Sequence, residues 1–207
     1  MTNICEISMK QFRGLLISFY VGKTSLFTSY TQNMYPQKYQ ETLIYDKYSG
    51  TVSFDNKDIN LLLYDIAGNE IYEIIRPQLY EDAKICLMCF SVVNPESFEN
   101  IKYCWYPEIK ECIPDIPIIL VGTKMDLRFD EKVVKKLQDE KLSPISHSQG
   151  LELSRELKCA KYIECSAVTQ DGVDELFIDA VRLSMYILYF TQLSHNYCLK
   201  NNLQIKY

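Results

Sequence analysis

Short, continuously apolar runs alternate with amphipathic stretches along most of the chain. This rhythm predicts a mostly parallel sheet covered by helices on both faces. The runs 85–90 and 118–121 are apolar at every position, as central strands buried on both sides should be. Pattern and length place strands at 14–19, 49–55, 59–65, 85–92, 118–123 and 162–165, and helices at 23–31, 71–80, 95–112, 148–157 and 171–190. An extra charged helix is expected over 130–141, where Glu131 stands four residues before Lys135. Asn94-Pro95-Glu96-Ser97 reads as a helix start, with Asn94 as cap and Pro95 in the first turn. The fold class is therefore α/β, with six strands and a single domain over 1–190. Residues 191–207 carry no strong pattern and are expected to form a loose tail.

Composition narrows the class. A length of 207 residues suits one α/β domain with a full core. With 24% charged and 47% hydrophobic residues, the chain has the balance of a soluble globular protein. Its net charge of -5, without a basic stripe, argues against a general nucleic-acid binder. Of the 8 cysteines, Cys86, Cys89 and Cys165 lie in or beside apolar runs and read as small hydrophobes in a reduced compartment. Cys86 and Cys89 have metal-ligand spacing, but no second pair or histidine cluster joins them, so strand core is the favoured reading over zinc. The N-terminus lacks the pattern of a secretory signal. The apolar stretch 181–190 is about half the length a membrane span requires.

Four short segments carry the chemistry. Val21-Gly22-Lys23-Thr24-Ser25 follows an apolar strand and opens a helix, the context of a phosphate loop. There, helix N–H groups face an anion, Lys23 reaches phosphate, and the Thr24 hydroxyl ligates magnesium. Asp65, which ends a strand before Ile66-Ala67-Gly68, suits magnesium held through water, and the Gly68 N–H suits a γ-phosphate. In Thr123-Lys124-Met125-Asp126, the Asp126 carboxylate can accept two hydrogen bonds from the guanine N1–H and 2-amino groups. Adenine has neither donor, so such a carboxylate selects GTP over ATP. Lys124 would lay its stem along the base or the phosphate loop. In Glu164-Cys165-Ser166-Ala167, the Ala167 N–H suits the guanine carbonyl. Each segment alone is also ordinary loop chemistry: a loop glycine with a solvated lysine, or a strand-ending aspartate in a turn. All four in this order, each at a strand end, point to a guanine nucleotide.

On these segments the chain resembles a small GTPase of the Ras superfamily. The narrower resemblance is to the Rho family (Rac-like). It rests on Arg76-Pro77, the run 91–100, Trp105-Tyr106-Pro107-Glu108, the run 117–124, and the charged helix followed by Leu142-Ser143-Pro144-Ile145, which is similar to the Rho insert. The similarity is strongest over 21–183. It implies a P-loop NTPase fold, GTP/GDP and Mg2+ as ligands, and action as a molecular switch in signal transduction. Effectors, exchange factors and GTPase-activating proteins would be the partners, with a role in the cytoskeleton. It further implies that Thr42 joins Thr24 and Asp65 around the metal, Tyr39 closes over the phosphates, Tyr35 edges the base, and residues 65–70 begin a second switch. The protein is expected to be monomeric and cytoplasmic, reaching membranes or cytoskeleton through partners.

The chain also departs from that family. Ile17 and Phe19 stand where glycines belong, and Tyr20 where a small residue belongs. A residue forced left-handed costs roughly 1–2 kcal/mol, while the N–H donors survive any substitution except proline; weakened nucleotide binding is the expectation. Asn69 occupies the place of the water-positioning glutamine, one methylene short. Slow hydrolysis is expected, with Asn69, Thr42 and Gly68 as the catalytic set. Between Thr42 and Tyr48 the chain carries one residue more than the family pattern, which predicts a bulge or a change of faces. The sequence ends Gln204-Ile205-Lys206-Tyr207, without a prenylation signal, and membrane association is doubtful on that ground. The alternative reading is a nucleotide-free or weakly binding pseudo-GTPase that serves as a protein-interaction module. A P-loop kinase or ATPase ranks third, since Asp126 would then lack its donors.

Overall fold

The computed structural model describes residues 12–17, 21–36, 45–66, 74, 76–80 and 83–200. Strands β1 (Phe12–Ile17), β2 (Tyr45–Phe54), β3 (Lys57–Ile66), β4 (Ile85–Ser91), β5 (Ile118–Thr123) and β6 (Lys161–Glu164) form one sheet in the order β2-β3-β1-β4-β5-β6. Only β2 runs antiparallel to its neighbour. It joins β3 through Asp55-Asn56, both at positive φ (51° and 58°), as the two central residues of a type I′ hairpin turn require. The β2 ladder is continuous from Tyr45↔Ile66 to Phe54↔Lys57. No bulge therefore interrupts its described part, and Thr42 lies outside the described residues.

Alternation along the strands builds two cores. Ile85, Leu87 and Cys89 face one side of β4, and Cys86, Met88 and Phe90 the other. In β5, Ile119 and Val121 join the first core, Ile118 and Leu120 the second. Cys86 and Cys89 thus point to opposite faces and cannot share a metal, and no group of three metal-ligating side chains stands together among the described residues. Burial pushes both thiols up from their ordinary pKa, which makes them inert packing groups.

Helices α1 (Lys23–Gln32) and α7 (Val173–Lys200) cover the first face with Leu26, Phe27, Leu176, Phe177 and Ala180. Phe177 lies 6.0 Å from Phe27 and 4.0 Å from Tyr30, ring centre to ring centre. The second face carries α3 (Pro95–Asn100), a π turn (Ile101–Trp105), α4 (Tyr106–Cys112) and α6 (His147–Glu156). As expected, Asn94 caps α3 by accepting from the Ser97 N–H at 3.1 Å. The helix expected over 95–112 is not uniform, and Pro107 supplies the reason. It lacks an N–H, and in a regular turn its ring would strike the carbonyl of Tyr103. The preceding turn widens instead, with the Tyr106 N–H donating to the Ile101 carbonyl.

The charged helix forms as α5 (Glu131–Asp139), capped by Asp130, whose carboxylate accepts from the Lys132 and Val133 N–H groups at 3.0 Å each. Of the helix expected over 71–80, the described part is α2 (Arg76–Leu79); positions 71–73 and 75 lie outside the described residues. Buried Arg76 forks onto Glu108 (Nε 3.0 Å, Nη2 2.7 Å), and the Tyr80 hydroxyl donates to the same carboxylate. That pins α2 to α4. Helix α7 runs on to Lys200, past the end expected at 190, because no glycine or proline interrupts it. Among the described residues no helix is long and apolar enough to cross a membrane.

One glycine governs how α7 leaves the sheet. Gly172 has φ 72°, and a Cβ there would lie 2.2 Å from the Glu164 carbonyl oxygen. Gly172→Ala is therefore expected to cost about 3 kcal/mol, the left-handed penalty plus overpacking against backbone. Urea denaturation measures it, and a wild-type midpoint would contradict this close approach.

Candidate functional site

The C-terminal ends of the parallel strands lie along one edge of the sheet. From β1 the chain leaves through α1 towards β2 and β3; from β4 it leaves through α3 towards β5. The two exits diverge, and the crevice between such exits is where open α/β sheets take their ligands.

At the β1 exit the chain turns through Val21, which is fully buried, and Gly22, whose φ of 89° is left-handed. That turn starts α1 at Lys23, and Lys23, Thr24 and Ser25 occupy its first turn. A first turn directs N–H groups and a positive partial charge along the axis, a ready site for an anion. Asp65, near the end of neighbouring β3, has no solvent-exposed side-chain surface, and the Lys23 side chain is 8% exposed. Lys23 Nζ lies 3.5 Å from Asp65 Oδ1, and Thr24 Oγ1 donates to Asp65 Oδ2 at 2.5 Å. A cation, a hydroxyl and a carboxylate thus meet at a helix N-terminus. Thr24 and Asp65 are hard oxygen donors of the kind Mg2+ takes, so the residues present fit that ion.

At the end of β5, the Thr123 hydroxyl lies 2.7 Å from the Val21 carbonyl oxygen and 3.0 Å from that of Phe90. One buried side chain therefore ties the phosphate-loop candidate to both β4 and β5. Lys124 follows at φ 59°. Its Cε lies 3.5 Å from where a Cβ on Gly22 would stand, so its stem crosses the loop backbone as the sequence suggested. Burial lowers the Lys124 pKa, against the opposing pull of Asp126. Asp126 sits half-buried in the 3-10 turn Met125–Leu127.

The fourth segment closes beside the third. The Met125 N–H donates to the Cys165 carbonyl at 3.2 Å. Ser166 is buried and shapes its own loop, its hydroxyl oxygen accepting from the Val168 and Thr169 N–H groups at 3.2 and 3.1 Å. The Ala167 carbonyl accepts from the Ser29 hydroxyl at 2.8 Å, which fastens this loop to α1. The structure thus brings Val21, Gly22, Lys23, Thr24, Ser25 and Asp65 to one end of the crevice and Thr123, Lys124, Asp126, Ser166 and Ala167 beside it. Tyr35 is 45% exposed, on the segment after α1. Tyr39, Thr42, Gly68 and Asn69 lie outside the described residues, as do Phe19, Tyr20 and the side chain of Ile17.

Sequence reasoning missed Ser29 and Arg128, and it named Glu164 only as the first residue of the fourth segment, without a partner. Arg128 and Glu164 carry opposite charges at the third and fourth segments, and only that juxtaposition could have paired them. A family model for the Ras family matches residues 15–185, a span that contains every described residue of this group.

The Thr123 hydroxyl gives a direct test of the frame. Thr123→Val keeps the volume, removes the donor from two buried carbonyls, and is expected to cost about 1–3 kcal/mol. Thr123→Ser should recover most of that loss in the same urea experiment.

Proposed function

The chain belongs to the Ras family, and we propose that it acts as a guanine-nucleotide switch of the Rho type, binding GTP and GDP with Mg2+ and hydrolysing GTP slowly. The observation that carries this reading is the placement of two chemistries on either side of Gly22. Lys23, Thr24 and Asp65 meet at the start of α1, and the Lys124 stem crosses the same loop with Asp126 two residues on. One end suits a polyphosphate with its cation, the other a purine edge with two donors. The Rho assignment draws support from the run 91–100, from Trp105-Tyr106-Pro107-Glu108 and from the charged helix α5, which resembles the Rho insert.

Each residue then has a task. The first turn of α1 and the Lys23 ammonium hold the β- and γ-phosphates. Thr24 and Asp65, with Thr42, hold the cation, which when bound neutralises phosphate charge. Asp126 reads the base, Lys124 covers the loop and the base, and Ala167 receives the guanine carbonyl. Asn69 positions the hydrolytic water poorly, because its amide is carried one methylene short. Ile17, Phe19 and Tyr20 weaken binding without removing the N–H donors. Partners such as effectors and exchange factors engage residues 35–48 and 65–80, and the protein acts as a cytoplasmic monomer that reaches membranes or cytoskeleton through them.

Titration of the purified chain with GDP and GTP in the presence of Mg2+, with ATP as control, tests the reading. Saturable binding of guanine nucleotides alone is expected, and Asp126→Ala should weaken it by about ten- to a hundredfold. A folded chain that binds none of the three would leave the interaction-module reading in its place. Hydrolysis is tested separately in single turnover. Asn69→Gln should raise the rate about tenfold or more, and an unchanged rate would remove Asn69 as the cause of slow turnover.

A further inference from the structure

The third and fourth segments meet by a single described backbone contact, the Met125 N–H on the Cys165 carbonyl. Behind them stands a second, stronger link. Arg128, two residues after Asp126, forks onto Glu164, two residues before Ser166: Nη1 reaches Oε2 at 2.7 Å and Nη2 reaches Oε1 at 2.5 Å. The third guanidinium donor, Nε, reaches the Ile145 carbonyl at 2.9 Å. The Ile145 N–H in turn donates to the Val92 carbonyl at the end of β4 at 2.8 Å. The side chains of Arg128 and Glu164 are 14% and 7% exposed, so the pair is largely withdrawn from water.

Neighbouring residues shape the space for this fork. The Tyr162 hydroxyl donates to Glu164 Oε1 at 2.5 Å. A Cβ on Gly150, in α6, would lie 2.1 Å from that hydroxyl oxygen. A Cβ on Gly122, the register partner of Glu164, would lie 3.0 Å from it and 3.2 Å from Glu164 Cγ. Burial raises the Glu164 pKa, but the hydrogen bonds from Arg128 and Tyr162 outweigh it and hold the carboxyl below its ordinary range. The group is an ionised carboxylate in a fitted slot.

We propose that Arg128 and Glu164 are a positioning pair for base recognition, a planar fork that sets the spacing between the Asp126 loop and the Ser166–Ala167 loop. A bidentate guanidinium–carboxylate contact fixes both distance and orientation, which a point charge does not. Neither residue touches the base; both act through the loops they join. The inference rests on the guanine reading above.

The test compares GDP with IDP, whose hypoxanthine lacks the 2-amino donor and so reports the Asp126 contact. Two variants are used: Arg128→Lys, which keeps the charge and loses the fork, and Arg128→Met/Glu164→Leu, which removes both charges together and avoids leaving one buried alone. The wild type should prefer GDP over IDP. The double variant should lose about tenfold of that preference while its urea midpoint stays near the wild-type value, and the lysine variant should fall between. A merely structural brace would move the midpoint and leave the GDP-to-IDP ratio alone. An unchanged ratio in either folded variant overturns the pairing's role in base recognition. A wild-type chain that binds neither nucleotide overturns the functional reading itself.

Discussion

Asp65 is a carboxylate without solvent exposure, near the end of a strand in the interior of the sheet. A buried charge of that kind persists only when paired and hydrogen-bonded, and this requirement organises the surrounding chain. Lys23 and Thr24 meet it from the first turn of α1. They can do so only because Gly22 takes a left-handed conformation and aims the helix at β3. The same turn leaves Val21 with a carbonyl that Thr123 satisfies from β5. Loop, helix start and three strand ends are thereby held by a few mutually dependent polar contacts.

The sheet makes those contacts possible. Parallel strands end at the same edge, and alternation along β4 and β5 divides their side chains between two dry cores. With both faces covered, polar groups are driven to the strand ends, where loops supply partners. The chemistry of the site and the packing of the domain are therefore two results of one arrangement. Rigid strands fix the geometry, and the loops beyond them carry the residue types that read a ligand.

Bidentate arginine–carboxylate contacts recur as the domain's fasteners. Arg76 and Glu108 hold α2 against α4, with Tyr80 adding a third donor. Arg128 and Glu164 hold the third and fourth segments together, with Tyr162 in the same supporting position. In both, a tyrosine hydroxyl completes the carboxylate, so a shielded charge retains its full set of partners. Such contacts resist shear better than apolar packing does, because their geometry is directional.

Much of this was legible in the amino-acid order. The apolar runs at 85–90 and 118–121 identified central strands, and Asn94-Pro95 identified a helix start, because burial periodicity and capping are local properties. The four segments pointed to the family for a similar reason: each is contiguous and its character resides in residue type. Other features were decided only by the tertiary structure. Pro107 was visible, yet that the chain would answer it with a wider turn over Ile101–Trp105 depended on keeping Ile101, Trp105 and Ile109 in the core. The run of α7 to Lys200 past 190 reflects the lack of a stop signal rather than the presence of a pattern. Arg128 and Glu164, 36 positions apart, one in a loop and one in a strand, showed no sign of being partners until β5 and β6 paired. Residue type and local period are written along the chain, whereas partnership across a sheet is a property of packing, and no single segment contains it.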